Sequence, residues 1–173
     1  MPWTVFDNRG VHRGIGRRVD AASRGSRSPQ TMSKVDPDKE ATFHVSVIKS
    51  DQREAEKPKQ AILRQLKRCR FSEEAMFAVK LALEEALANA VKHGNKRDVA
   101  KQITIRYAVT SEKAVIIIRD EGQGFTPDAI PDPTAPERLP LPTGRGIMLM
   151  RAYMDEVAYR DQGREVYLMK RRT

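Results

Sequence analysis

The feature that most constrains the fold is a long helical pattern that begins after Ser72 and runs to about Lys92. At about 100° per residue, one face is apolar for two turns and polar for the next two. That face holds Ala78, Leu81, Ala82, Glu85, Asn89 and Lys92. A helix keeps its apolar stripe toward the core. The polar residues that continue this stripe are therefore expected to be partly buried and to need hydrogen-bonding or ionic partners. Gly94 and Asn95 follow as residues that tolerate the left-handed conformation and end helices.

Glu85 and Asn89 both offer oxygen atoms in the polar half of this stripe. Mg²⁺ takes oxygen ligands, shares them with nucleotide phosphates and keeps waters that a nearby carboxylate polarises. The alternative is a solvated helix edge, and the helix alone does not decide between the two. Glu84 lies about 100° away from Glu85 and four residues after Lys80, a spacing that predicts a surface ion pair.

Strand patterns flank this helix. Phe43, Val45 and Val47 alternate with polar residues, which predicts a half-buried strand. Residues 103–109 and 114–118 predict a hairpin of two strands. The second is apolar almost throughout, which indicates a buried central strand.

The remaining periodic segments complete the predicted fold. Residues 54–69 and 147–154 have helical patterns, and residues 157–159 and 165–169 have strand patterns. This order of elements favours the α+β class, with a sheet that carries its helices on one face.

A glycine-rich loop follows the predicted central strand. It has the pattern Asp120-x-Gly122-x-Gly124-Phe125. An acid at a strand end accepts hydrogen bonds, while the glycines let the backbone approach a ligand closely. An ordinary glycine turn after a strand is the alternative.

A second loop, Thr143-Gly144-Arg145-Gly146, opens the next helical pattern. Backbone N–H groups and the helix dipole hold phosphate at such a place, although a simple helix cap by Thr143 is the alternative. Between the two loops, residues 125–143 contain six of the ten prolines and no regular pattern. An irregular segment of this length indicates either a functional lid or disorder, and we expect a lid that closes over a bound ligand.

The first 40 residues are rich in Gly, Arg, Ser, Pro and Asp and have no apolar periodicity. They are predicted to be a disordered basic tail, because they bury too little apolar surface to offset the entropy of ordering. Met32 offers an alternative start immediately before the domain at residues 41–173.

The net charge of +9 raises the question of nucleic acid. Residues 1–33 carry six Arg and two Asp, so nearly half of the excess lies in the tail. Elsewhere acids are interleaved with bases and aromatic residues are 6% of the chain, which argues against direct nucleic-acid binding. No apolar run approaches the roughly 20 residues that cross a membrane. Cys69 is the single cysteine, which fits a reducing cytoplasm.

Three motifs occur in a fixed order: Glu85-Ala-Leu-Ala-Asn89-Ala-Val-Lys-His93-Gly94, then Asp120-x-Gly122-x-Gly124-Phe125, then Gly144-x-Gly146-Ile-x-Leu-Met150. Together they resemble the boxes of the GHKL, or Bergerat, ATP-binding fold found in gyrase, histidine kinases and mismatch-repair ATPases. They are most similar to the anti-sigma factor serine-protein kinases of the RsbW and SpoIIAB type. The resemblance covers residues 41–173 and implies a two-layer α/β sandwich with a mixed, mainly antiparallel sheet.

The resemblance also implies roles for single residues. Glu85 would be the general base, Asn89 the Mg²⁺ ligand, and Asp120 the acceptor for the adenine amino group. The other residues carried over as nucleotide contacts are Lys92, His93, Gly122, Gly124, Phe125, Thr143, Gly144, Arg145 and Gly146.

By this resemblance the chain is expected to be a cytoplasmic ATP- and Mg²⁺-dependent kinase that binds a sigma factor. It would phosphorylate a serine of a STAS-domain anti-sigma factor antagonist, and a homodimer is expected. Two departures keep a non-catalytic nucleotide-binding module as the alternative. Leu139-Pro-Leu-Pro-Thr143 lacks an expected Arg, and Gly163-Arg164-Glu165 stands where the family often has Gly-Thr. A histidine-kinase catalytic domain is disfavoured because no phosphoacceptor His lies in a preceding helix pair.

Overall fold

The computed structural model describes residues 4–6, 43–124 and 145–173. In these ranges the chain forms a single sheet and a set of helices. In chain order the elements are β1 (Thr4–Phe6), β2 (His44–Lys49), α1 (Gln52–Arg68), α2 (Glu73–Asn89), a π-helical segment (Ala90–Gly94), β3 (Gln102–Val109), β4 (Lys113–Asp120), α3 (Arg145–Tyr153), β5 (Glu156–Arg160) and β6 (Glu165–Arg171).

The sheet has the strand order β1-β5-β6-β4-β3-β2. All five pairings are antiparallel, so the described part of the sheet contains none of the parallel pairing expected of a mixed sheet. The predicted hairpin is confirmed, with Val109 opposite Ala114. β4 is the buried strand that its apolar run predicts, because β3 and β6 flank it and residues 114–118 are all buried.

The helices begin where side-chain caps satisfy their first N–H groups. Asp51 accepts from the backbone N–H of Arg53 at 2.9 Å at the start of α1. Ser72 accepts from the backbone N–H of Ala75 at 3.2 Å at the start of α2. Both helices pack on the face of the sheet that carries Ile105, Ile116 and Leu168 and share a core with it. The α+β class and the two-layer sandwich are therefore confirmed.

The opposite face of the sheet has a smaller buried cluster, comprising Val115, Ile117, Ala158, Tyr167 and Met169. Phe43 packs against this cluster. The predicted half-buried strand is present as β2, but Val45 and Val47 do not lie on its buried face, since these side chains are 60% and 55% exposed. β2 is an edge strand, and its register places both valines on the face away from the helices.

The end of the long helix differs from the sequence prediction. After Asn89 the backbone changes to a π-helical turn, Ala90–Gly94, in which the hydrogen bonds span one residue more. Asn95 has φ of −79°, so it does not adopt the predicted left-handed conformation. Lys96 and Arg97, with φ of 54° and 60°, make that reversal instead.

The N-terminal segment contributes one described element. Thr4–Phe6 forms β1, with Thr4 opposite Tyr159 of β5, although residues 1–40 are predicted to be disordered. The edge of β5 offers unpaired backbone groups that a short strand satisfies without a packed core. The rest of the tail lies outside the described residues, and its disorder stays a prediction. Among the described helices, none is long and apolar enough to cross a bilayer.

Candidate functional site

A cavity of about 280 Å³ lies between the helices and one end of the sheet. The last turn of α2, the π-helical segment, the end of β4, the start of α3 and the β5–β6 turn enclose it. Its walls are largely apolar and include Ala86, Ala90, Ile118, Met150 and Val166. Apolar walls with a few polar groups are typical of small-molecule sites.

The polar groups of this cavity are few and distributed over its length. They are Asn89 and His93 on the helical side, and Asp120, Tyr159 and Arg164 on the sheet side. Burial raises the pKa of the Tyr159 hydroxyl, so this group is neutral near physiological pH. The predicted residues Asn89, His93 and Asp120 are thus brought together by the fold.

Asp120 is the buried acid of the cavity, with an exposed fraction of 9%. Its Oδ1 accepts from the backbone N–H of Gly122 at 2.8 Å. Its Oδ2 makes no hydrogen bond with any described residue. Burial raises the pKa of this carboxyl, against the opposing effects of the Gly122 N–H and the charge of Arg164. A carboxylate with one oxygen held and one available fits an exocyclic amine of a bound base.

Three glycines allow close backbone approaches at this end of the cavity. A Cβ at Gly94 would overlap the Asp120 carboxylate, and a Cβ at Gly122 would overlap the carbonyl oxygen of Gly94. Gly124 has φ of +78°, and a Cβ there would overlap the carbonyl oxygen of Gln162. The absence of side chains at these points therefore shapes one end of the cavity, as the glycine pattern predicts.

Glu85 lies one turn before Asn89 on α2, outside the lining of the cavity. Its carboxylate lies against the Cα of Gly146 in the first turn of α3, where a Cβ would overlap Oε2. Asn89 lines the cavity, and its side-chain amide makes no hydrogen bond within the described ranges. The amide oxygen of Asn89 and the Glu85 carboxylate are thus oxygen donors of the kind that Mg²⁺ and its waters prefer.

Lys92 and His93 are separated by the structure. Both residues are exposed, but His93 lines the cavity and Lys92 does not. The physical reason is the π-helical turn, which changes the helical phase after Asn89.

Glu84, the neighbour of Glu85, has a different environment. Its Oε1 lies 3.6 Å from Nζ of Lys59 on α1, and this lysine also pairs with Glu56 at 2.6 Å. The predicted pair with Lys80 is not formed among the described residues. Glu84 and Glu85 therefore contact different neighbouring helices, α1 and α3, as their separation of about 100° predicts.

Two residues of the site were missed at the sequence level. Asn95 is fully buried; its Nδ2 donates to the carbonyl of Gln102 at 3.0 Å and its Oδ1 accepts from the N–H of Glu121 at 2.9 Å. Arg164 lines the cavity beside Asp120. For Asn95 the only sequence signal was its position directly after Gly94. For Arg164 it was a position directly between Gly163 and a predicted strand.

Several predicted contacts lie outside the described residues: Phe125, Thr143 and Gly144, together with the whole of the predicted lid at 125–143. Arg145 begins α3, but its side chain is not described. Their proposed roles in nucleotide binding remain predictions.

The comparisons with known proteins agree with the fold class. Residues 48–170 match the family described as "Histidine kinase-like ATPase domain". The chain belongs to this family, whose boxes the three motifs resemble.

Among curated proteins, the chain is similar to several called serine-protein kinase RsbW. The relative from Listeria monocytogenes serotype 4a (strain HCC23) is 30% identical over 110 residues, which cover 60% of this chain and 70% of the relative. The relative from Oceanobacillus iheyensis is 31% identical over 98 residues, covering 53% and 62%. The relative from Bacillus subtilis (strain 168) is 35% identical over 86 residues, covering 46% and 53%. The resemblance to the RsbW type is thereby confirmed.

Proposed function

We propose that this chain is an ATP- and Mg²⁺-dependent serine-protein kinase that also acts as an anti-sigma factor. It binds a sigma factor and phosphorylates a serine of a STAS-domain antagonist. The observation that carries the proposal is the arrangement of Asp120, Asn89 and Glu85, which follow one another from the buried end of a single cavity to the α2–α3 boundary. The names of the RsbW relatives support the kinase class.

In this proposal each acidic or amide group has one task. Asp120 accepts from the adenine amino group at the buried end, where its Oδ2 has no described partner. Asn89 holds Mg²⁺, which neutralises charge on the phosphates when it is bound. His93 contacts the phosphates from the helical side, and the N-terminus of α3 offers N–H groups to them.

Glu85 is the proposed general base. Its half-buried carboxylate lies against α3, next to the helix start where phosphate is expected. It takes the proton of the acceptor serine hydroxyl as that oxygen forms its bond to the γ-phosphorus, while the bond from this phosphorus to the bridging oxygen breaks and ADP leaves. Glu84 is a carboxylate one residue away that pairs with Lys59 and faces α1, so it supplies a matched control.

The test measures transfer of the γ-phosphate from radiolabelled ATP to purified STAS-domain proteins of the same organism, each offered separately. Wild type and Glu84→Gln are expected to label one of them, and replacing its acceptor serine with alanine abolishes the label. Glu85→Gln is expected to lose at least about a hundredfold in rate while binding ATP normally. Equal rates for Glu85→Gln and wild type would refute the assignment of the base.

The alternative, a nucleotide-binding module without transfer, is favoured by one observation. The position where the family often carries a threonine hydroxyl is occupied by Arg164, which lines the cavity. ATP binding with no transfer to any STAS-domain protein would select this alternative. Analytical ultracentrifugation tests the expected homodimer, and pull-down with purified sigma factors tests the anti-sigma role.

A further inference from the structure

The β5–β6 turn closes the end of the cavity that holds Asp120. Its residues Asp161, Gln162 and Gly163 all have positive φ, of 54°, 56° and 78°. The carbonyl oxygen of Gln162 lies against Gly124, where no Cβ would fit. The turn is therefore packed against the loop that follows β4, and the first residue after it is held in place.

That residue, Arg164, lies directly opposite Asp120 where β6 begins to pair with β4. The backbone N–H of Asp120 donates to the carbonyl of Arg164 at 3.0 Å, next to the register pair Arg119 and Glu165. Side chains at directly opposite positions of antiparallel strands project from the same face, with Cβ atoms about 5 Å apart. Both side chains line the cavity.

The turn also orients the guanidinium of Arg164. Nη2 donates to Oδ1 of Asp161 at 2.6 Å, and Nε donates to the carbonyl of Asp161 at 3.2 Å. The Cγ atom lies 3.2 Å from the position of a Cβ on Gly124, so the stem packs along this glycine. Nη1 makes no hydrogen bond within the described part of the chain. The side chain is 33% exposed, which leaves the guanidinium accessible from the cavity.

Asp120 and Arg164 together form a pair with complementary hydrogen-bonding capacity. An ionised carboxylate only accepts, and a guanidinium only donates. The edge of adenine offers an exocyclic amine that donates and, beside it, the ring nitrogen N1 that accepts. Hypoxanthine reverses both groups, because its O6 accepts and its N1 carries a proton.

We propose that Arg164 is a base-recognition residue, which donates from its guanidinium to N1 of adenine while Asp120 accepts from the neighbouring amine. The inference rests on the proposed ATP binding and adds a second determinant of base specificity. Arg164 takes this role at the position where the sequence lacks the family's Gly-Thr pair.

The test compares nucleotides that differ by one group, with affinities measured by calorimetry on the full chain. In 1-deaza-ATP a C–H replaces N1, so the contact to Arg164 is lost while the amine is kept. Wild type is expected to bind it roughly ten- to hundredfold more weakly than ATP. Arg164→Met keeps an apolar stem against Gly124 and is expected to bind ATP and 1-deaza-ATP equally.

Arg119→Met is the matched control. Arg119 also pairs with Asp161, at 3.0 Å, but it is 52% exposed and does not line the cavity. This variant is expected to keep the discrimination between ATP and 1-deaza-ATP, and thermal unfolding without nucleotide shows whether either variant is folded.

The outcomes separate the two proposals. If wild type binds ATP and 1-deaza-ATP within twofold of each other, Arg164 does not recognise N1, although ATP binding stands. If Arg164→Met keeps the full discrimination, another group contacts N1 and the inference is again overturned. If wild type binds neither nucleotide, the proposed function itself fails, and the inference with it.

Discussion

Asn95 and Glu121 join the end of the long helix to the loop that carries the glycines, through a 2.9 Å hydrogen bond from the Glu121 N–H to Oδ1 of Asn95. The same side chain donates to the carbonyl of Gln102 at 3.0 Å. One fully buried amide therefore fixes three segments around the cavity relative to each other.

We predict that Asn95→Ala lowers the free energy of unfolding by about 1–3 kcal/mol, because the carbonyl of Gln102 and the N–H of Glu121 lose their hydrogen bonds to this buried amide. Urea unfolding measures this change. Asp98→Ala is the control, since Asp98 makes one exposed hydrogen bond to the N–H of Ala100 and is expected to cost less than about 1 kcal/mol. An Asn95→Ala variant as stable as the control would contradict the assigned role of the amide.

Gly146→Ala is predicted to separate stability from catalysis. Alanine is preferred over glycine inside a helix by about 1 kcal/mol, so the melting temperature should hold or rise. The added Cβ would overlap the Glu85 carboxylate, and this flexible side chain has to move. Phosphoryl transfer is expected to fall about a hundredfold with ATP affinity little changed, because displacement of a catalytic group by about 1 Å has effects of this size.

Gly122→Ala is predicted to behave in the opposite way. Its Cβ would meet the backbone carbonyl of Gly94, which has no freedom to rotate away. The variant is expected to lose about 1–3 kcal/mol of unfolding free energy, typical of forced overpacking, and to bind ATP weakly. Unfolding and binding measured on both glycine variants side by side check the contrast, and a Gly122→Ala chain with wild-type stability would contradict the close approach of the two loops.

Asp120→Asn is predicted to change the pH dependence of stability. Burial raises the pKa of Asp120 above its ordinary value of 3.8, so folding favours the protonated carboxyl. Its stabilising contribution is complete below pH 3.8 and is lost as the pH rises through the raised value. The wild-type unfolding free energy should therefore fall relative to that of Asp120→Asn as the pH rises from 3.8 through the raised pKa. Above the raised pKa the difference between the two proteins should stay constant. Urea titrations at a series of pH values measure the difference, and an advantage that shrinks with rising pH would show the opposite shift. At neutral pH the same variant should bind ATP more weakly.

His93→Ala and Lys92→Ala test the phase of the π-helical turn. His93 lines the cavity and Lys92 does not. Loss of the imidazole is expected to weaken ATP binding severalfold, with little effect from loss of the ammonium. Calorimetric titration compares the two variants directly, and a larger loss for Lys92→Ala would mean that the regular helical phase continues beyond Asn89.

Local patterns were sufficient for much of the fold. The alternation and apolar run of residues 103–118 predict the central hairpin, and Ser72 predicts the start of α2. Asn89 and Asp120 could be assigned to the site from sequence because each belongs to a local pattern. Asn89 lies on the mixed face of the long helix, and Asp120 ends the apolar strand before the glycine loop.

Other features depend on contacts that no local pattern contains. The orientation of Val45 and Val47 follows from pairing with β3, and alternation alone does not tell one face of an edge strand from the other. Asn95 has its role because it bonds to Glu121, which is 26 residues away along the chain. Arg164 has its role because it pairs with Asp120, which is 44 residues away. The change to π-helical bonding at Ala90 likewise has no signature in helical periodicity.

The π-helical turn also limits how the chain can vary in length. Asn89 belongs to the regular helix, while Gly94 has to lie against Asp120, and the wide turn supplies the residue that makes both placements compatible. Removing one residue between Asn89 and Gly94 is expected to restore a regular helix. The glycine would then no longer lie against the Asp120 carboxylate. We therefore expect point substitutions in this stretch to be tolerated at positions such as Lys92, and insertions or deletions there to disrupt the site.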